Sequence, residues 1–347
     1  MFSFRTTPIE DQLDRSLREG AVGVVCTQAS WNASSGRYLH EFFAQRGNLS
    51  KVFMPESGHI AFTADELEGL DAVVVEVQDI GVRYFNYATD VLRLVATLNS
   101  LEHSPSLYIV DHPNPAGRDV EGTLPAGDTD MWTPKVAHRH GLTLGELVNL
   151  YCGELGASFP LHVISAGASG PGRSLMPWII PPSDDVPGMF TPFVYSGGGL
   201  WQDTTVTPGI GTLRPYEFFG APFIKADADE KMPQARGAML RPCSFIPSFG
   251  MYEGQVCYGY QTILTPDARY HSLLHTVRIM RHFRERYSQF EISDSLYTRL
   301  ADPVMKEYLL GNITFDIVDE HVKNEEQKWI RKAKRYLLYE DQPSRIK

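Results

Sequence analysis

The chain has 347 residues, 43% hydrophobic and 21% charged, the proportions of a globular protein with one large or two medium domains. Its formal net charge of -10 argues against nucleic acid as a main partner. No stretch reaches the ~20 apolar residues of a membrane span, and Met1 to Pro8 lack the apolar core of a signal peptide, so the sequence as given predicts a cytoplasmic location, or a periplasmic or exported one if a signal peptide has been removed.

The first half alternates two periodicities. Residues 21–26 read as a strand. Residues 36–46 carry Tyr38, Phe42 and Phe43 at helical spacing. Residues 51–54 are a second strand and 72–77 a third, followed by a helix over 86–101 with Val91, Leu92, Val95 and Leu98 on one face. Residues 107–110 form a fourth strand. Thr143 opens a helix, with Glu146 three residues on as in a capping box, and 161–165 is a fifth strand. This alternation predicts an α/β fold, a Rossmann-like parallel sheet with helices on both faces. Residues 166–222 are rich in Gly, Pro and Ser, the mark of a functional loop region. A strand over 254–265 and an amphipathic helix over 271–287 follow. We therefore expect residues 1–204 to form the Rossmann-like domain with its long loop region, and 205–347 a smaller C-terminal α+β domain. The basic run Arg331, Lys332, Lys334 and Arg335 reads as the solvated face of a last helix.

The cysteines at 26, 152, 243 and 257 form no C-x-x-C pair, so neither a zinc site nor a disulfide framework is expected, and a reducing compartment fits. Cys26 and Cys152 read as buried thiols. His138 and His140 stand two apart, but no third ligand has suitable spacing, so no metal is expected. Residues 209–214 half-match a dinucleotide loop, but they follow no good strand and lack the third Gly.

The chemistry gathers at strand ends. Glu56 follows the second strand, Gln78 and Asp79 the third, and Asn114 the fourth. In open α/β sheets ligands sit beyond the carboxyl ends of the strands, so if these strands are neighbours the three polar groups converge on one crevice. Carboxylates there protonate a leaving group, orient water or bind sugar hydroxyls. The structural alternatives are a turn cap for Glu56 and an ion pair between Asp79 and Arg83. Residues 119–122 and 138–141 are positioned to close the crevice.

These segments resemble, in order, those of the exo-β-N-acetylmuramidase family. Pro55-Glu56-Ser57-Gly58 is similar to its P-E-H-G. Gln78-Asp79-Ile80-Gly81-Val82-Arg83, with Tyr87 downstream, is similar to Q-D-x-G-x-R and its following Tyr. His112-Pro113-Asn114-Pro115 and Val120-Glu121-Gly122 resemble P-N-P and V-E-G, and the run from Arg139 to Leu147 resembles R-H-G-M-T-x-G-E-L. Residues 181–187 resemble P-P-S-P-N-M-P, residues 211–222 G-T-T-R-P-F-E…G-A-P, and residues 334–339 the family's end. The resemblance implies a cleft between a Rossmann-like domain and a smaller C-terminal one. It also implies removal of terminal β-1,4-linked N-acetylmuramic acid from the non-reducing end of peptidoglycan fragments, without a cofactor. Glu56 then becomes the acid/base, with Asp79 or Glu121 as the second carboxylate. Arg83 and Arg139 would bind the lactyl carboxylate, Asn114 and His140 sugar hydroxyls or the N-acetyl group, and Tyr87, Glu121 and Arg214 would complete the substrate site. The partner is a peptidoglycan-derived sugar or muropeptide, and a cytoplasmic role in muropeptide recycling fits. The chain departs from the pattern at Ser57 (His), Asp185 (Asn), Gln202 (Glu), Thr205 (Asn) and Ile210 (Arg). The departures frame an alternative, a glycan- or muropeptide-binding relative that has lost catalytic residues.

Overall fold

The computed structural model describes residues 9–55, 59–127, 134–166, 178, 180–226, 231–266 and 269–346. The first half runs α1 (Ile9–Ser16), β1 (Val22–Cys26), α2 (Leu39–Arg46), β2 (Leu49–Phe53), α3 (Ala64–Leu67), β3 (Ala72–Glu76), α4 (Asn86–Ser100), β4 (Ser106–Asp111), β5 (Asp119–Val120), α5 (Leu144–Leu155) and β6 (Leu161–Ser165). Five of these strands form one sheet in the order β2-β1-β3-β4-β6, with every pair parallel. The fold class is the expected one. Alternate side chains of the central strands serve opposite faces. Val22, Val24 and Val74 pack with Leu13 and Phe43 of α1 and α2. Val73, Val75 and Ile109 pack with Leu94, Val95 and Leu98 of α4 and Val148 of α5. The capping box of α5 forms as read: the Glu146 amide donates to Thr143 Oγ1 (3.2 Å) and the Thr143 amide to Glu146 Oε2 (3.1 Å).

β2 lies at the sheet edge, and β1 stands between it and β3. The second and third strands are thus not neighbours; their axes lie two spacings apart, roughly 9–10 Å. β2 carries the polar pattern of an edge, with Lys51 paired to Glu66 at 2.9 Å. β3 and β4 are adjacent, so only the third and fourth strand ends meet directly.

The second half contains α6 (Thr191–Gly198), β7 (Phe218–Ala221), β8 (Ala238–Phe245), β9 (Cys257–Leu264), α7 (Ser272–Arg286), α8 (Asp294–Leu300), α9 (Pro303–Leu310), α10 (Phe315–Ala333) and β10 (Ser344–Arg345). β7-β9-β8 is a small antiparallel sheet. Its core is aromatic: Trp201 stacks on Phe219 (ring centroids 4.9 Å apart), and Phe283 of α7 packs on both. Leu200 and Trp201 belong to this core although they precede residue 205.

The chain then returns to the first sheet. Trp329 is fully buried and its indole N–H donates to the His140 carbonyl (2.9 Å). The Tyr339 hydroxyl donates to Asp111 Oδ2 (2.7 Å), Asp341 pairs with Arg118 (3.1 Å), and β10 pairs with β5. Both cores are therefore closed by segments distant in sequence. The four cysteines are unpaired; Cys26 is buried and Cys152 half-buried.

Candidate active site

From β1 the chain passes to β2 on one side and β3 on the other, which opens a crevice at the carboxyl ends of β1 and β3. Asp79 stands in a tight turn beyond β3, beside the residues that follow β4. Its Oδ2 accepts the Gly81 amide (2.7 Å) and lies 3.6 Å from His140 Nε2, while its Oδ1 is buried without a hydrogen bond. His140 Nδ1 accepts the Leu142 amide (3.2 Å), which puts the ring proton on Nε2, toward Asp79. The turn requires glycine at 81. Its φ is +79°, and a Cβ there would lie 2.4 Å from the Asn114 amide group. Asn114 in turn donates to the Leu142 carbonyl (2.8 Å) and accepts the Ala116 amide (2.8 Å). Asp79, Asn114 and His140 thus come together, each already engaged with backbone.

Arg83, Arg139 and Glu121, expected in the substrate site, are buried in the interior. Arg83 is buried and spends its guanidinium on the carbonyls of Thr123 (2.9 Å), Val136 (3.2 Å), Arg299 (3.1 Å) and Leu300 (2.8 Å). It is not paired with Asp79, and burial lowers its pKa to about 10. Arg139 is buried against Glu121 Oε1 (2.7 Å) and the Ala116 carbonyl, with Phe193 over its face at 5.2 Å. Glu121 is completely buried. Its other oxygen takes the Ser196 hydroxyl (2.7 Å) and the Leu273 amide (3.0 Å), joining β5 to α6 and α7. These three residues hold the two halves together. The Nη donors of both arginines go to internal partners, while Arg139 Nε has no hydrogen bond to the described residues.

The open cleft lies beside them. It has a volume of about 330 Å³ and sits between the start of α4 and the second half. Tyr84, Phe85, Asn86 and Tyr87 form one wall; Tyr195, Gln202, Tyr216 and Arg299 form another; Ser183 and Asp185 line it too. The walls are aromatic surfaces with a few polar groups, a common lining for small polar ligands. Tyr195 and Tyr216 lie with ring centroids 4.5 Å apart, and Gln202 Nε2 donates to the Tyr216 hydroxyl (2.7 Å). Tyr216 has φ +65°, a left-handed backbone rarely held by a bulky residue. Gly198 admits it, since a Cβ there would come within 2.8 Å of the Tyr216 carbonyl.

Two charged groups face this cleft. Burial, with Asp184 adding repulsion, raises the Asp185 carboxyl above its usual range. Burial works to lower the pKa of Arg299, but its hydrogen bonds and charge contact with Asp203 overcome this and hold it above the ordinary value. Of the expected residues, Tyr87 lines the cleft. Arg214 is half exposed and lies 3.5 Å from Glu217. Glu56 and Ser57 lie outside the described residues. Their neighbour His59 bonds Asp90 (3.3 Å), and the Ile60 amide bonds the same carboxylate (2.8 Å), one turn along α4 from Asn86.

Family models decide the relationship. The model described as exo-β-N-acetylmuramidase NamZ, N-terminal, matches residues 59–174, and its C-terminal counterpart matches residues 193–339. The chain belongs to the NamZ exo-β-N-acetylmuramidase family. A curated relative, the peptidoglycan β-N-acetylmuramidase NamZ of Bacillus subtilis (strain 168), is 25% identical over 291 residues, 80% of this chain and 69% of its own length. Two DUF1343 family proteins of Bacteroides fragilis NCTC 9343 share the fold. Their TM-scores are 0.80 and 0.76 at 18% identity; the alignments cover 95% and 96% of this chain and 97% and 98% of theirs.

On this NamZ scaffold two departures from the motifs, Asp185 and Gln202, line the same cleft, so its walls hold a carboxyl at 185 and an amide at 202. Sequence reasoning missed Arg299, Tyr195, Tyr216 and Glu76. Glu76 ends β3 at the crevice, is 3% exposed, lies 3.6 Å from His112 Nε2 and leaves Oε2 without a hydrogen bond. The signal for it was present: a charge closing an apolar run at a carboxyl edge. Nothing in the local sequence marks Arg299, which reaches the cleft only through the packing of α8.

Proposed function

We propose that this protein is a glycoside hydrolase that removes terminal β-linked N-acetylmuramic acid from peptidoglycan-derived fragments. Membership of the exo-β-N-acetylmuramidase family over both halves carries the reading. The cleft supports it: about 330 Å³ is near the small end of the roughly 300–1,000 Å³ of ligand pockets, room for one sugar rather than a run of them, as exo action requires. Its aromatic walls suit the apolar faces of a pyranose, and Asn86, Ser183 and Gln202 supply hydrogen bonds for hydroxyls and the acetamido group.

Glu56 is the proposed acid/base, on its motif and on the anchoring of His59 and Ile60 to α4, whose first turn lines the cleft. Asp79, with His140 and Asn114, is proposed to shape the crevice beside it. Asp185 is the carboxyl that lines the cleft itself, and its raised pKa suits a group that donates a proton or a hydrogen bond. We place the reaction in a reducing compartment, on the four unpaired cysteines. No helix among the described residues is long and apolar enough to cross a membrane. The test is release of aglycone from para-nitrophenyl β-N-acetylmuramide by wild type and Glu56→Gln. Turnover by the wild type and its loss in the variant support the reading. A folded wild type that leaves the glycoside intact refutes it.

A further inference from the structure

We propose that Arg299 recognises the carboxylate of the sugar in the cleft and so selects an acidic amino sugar over its neutral counterpart. The inference rests on the reading above for the identity of the ligand. Among the described residues lining the cleft, Arg299 is the one cation. It is also held in place. Asp203 takes its Nε and Nη2 edge, with Nη2 at 3.4 Å from Oδ1, and Asp203 is itself fixed by the Ser295 hydroxyl (2.8 Å). The Tyr84 ring lies beneath the guanidinium, 5.7 Å from its carbon. Arg83 binds the Arg299 carbonyl and so anchors the end of α8.

What remains is the Nη1 and Nη2 end of the guanidinium. Nη1 makes no hydrogen bond to the described residues. A fixed planar fork with one free edge matches a carboxylate in two parallel hydrogen bonds, and little side-chain freedom is lost on binding. Arg83 and Arg139, buried where Arg299 is half-buried, spend their Nη groups on internal carbonyls, His138 and Glu121. Asp185 is the one carboxyl among the described lining residues, and burial together with Asp184 pushes it toward its neutral form, which weakens its repulsion of an incoming carboxylate. N-acetylmuramic acid carries such a carboxylate on its lactyl ether; N-acetylglucosamine has the same ring and acetamido group without it.

The experiment is a calorimetric titration of wild type, Arg299→Gln and the double variant Asp203→Asn/Arg299→Gln with each free sugar, alongside thermal melts. The double variant removes both charges, so that no buried carboxylate is left unpaired. We expect wild type to prefer N-acetylmuramic acid. Affinity for it should fall roughly 10- to 100-fold in both variants, the range of a lost charge-assisted hydrogen bond, while affinity for N-acetylglucosamine stays within about twofold. Persistence of the preference in either folded variant overturns the proposal, as does an equal loss for both sugars. Equal affinity of the wild type for the two sugars overturns it as well, by removing the acidic ligand on which it rests. A wild-type preference that both variants lose, together with absent turnover, would leave Arg299 in its role and reject the hydrolase reading alone.

Discussion

Replacing Glu121 by Gln tests whether this residue serves the fold or the chemistry. The carboxylate is completely buried, and it bridges Arg139, Ser196 and the Leu273 amide across the two halves. Gln keeps the shape but removes the charge, so Arg139, itself 1% exposed, keeps only the Asp119 carboxylate at 3.4 Å as an ionic partner. Gln also turns one acceptor into a donor, which conflicts with either the guanidinium or the Ser196 and Leu273 donors. Breaking a buried pair at one end costs about 3–5 kcal/mol. At about 2.1 cal/mol/K per residue the unfolding entropy of a chain this size is roughly 0.7 kcal/mol/K, so the melting temperature should fall by about 4–7 °C. The assay is a thermal melt with a urea titration, beside turnover below the transition. Melting within 1 °C or so of wild type with abolished turnover would refute the structural role and return Glu121 to the chemistry.

Further outcomes follow from the same geometry. Gly81→Ala should lose about 1–2 kcal/mol from the left-handed backbone alone, with more from the approach to Asn114; an unchanged urea midpoint would contradict the turn described. Tyr339→Phe removes a donor from buried Asp111 and should cost about 1–3 kcal/mol, read by denaturation, because among the described residues only Thr143 and Gly145 remain to satisfy that carboxylate. Burial, assisted by the Arg83 charge, holds the pKa of His138 well below 6.5, and burial lowers that of His275 to about 4. Their unfolded forms therefore bind protons first as pH falls, so this stability is complete above about 6.5 and declines below it, by up to about 1.4 kcal/mol per pH unit for each ring. His271 is raised, because Glu326 and Glu121 outweigh its burial, and its contribution is complete below the same pH, so it does not offset the decline. Urea titrations at pH 7.5, 6.5 and 5.5 would show the loss; a flat profile would contradict it.

The parallel sheet was legible because β1, β3 and β4 are buried on both faces and read as unbroken apolar runs. Strand adjacency was not, since periodicity carries no information on which strands pair, and so the second strand emerged at the edge. β8 escaped notice because Pro242 interrupts its pattern, which an edge strand tolerates. Strand ends and motifs pointed to Asp79, Asn114 and His140, which the structure brings together, and to Tyr87, which it sets in the cleft wall. The same reasoning gave Arg83 and Arg139 to a ligand because a sequence shows charge but not what it faces. Arg299 and the paired tyrosines escaped because their meeting place is made by α6, α8 and the Tyr216 backbone, elements remote from one another in the chain.

The returning segment has a consequence for the order of events during synthesis. Trp329, Leu338, Tyr339 and β10 complete the surroundings of His140, Glu146, Asp111 and β5, yet Trp329 is made 164 residues after β6 ends at Ser165. At about 5–20 residues per second on the ribosome that interval is roughly 10–30 s. For that time the first half emerges with Asp111 holding its Thr143 and Gly145 donors but not that of Tyr339, and with an apolar hollow where the indole belongs. The leading half thus stands without its closing contacts until the trailing residues arrive, and a ribosome that stops before residue 329 releases a chain whose first half lacks them.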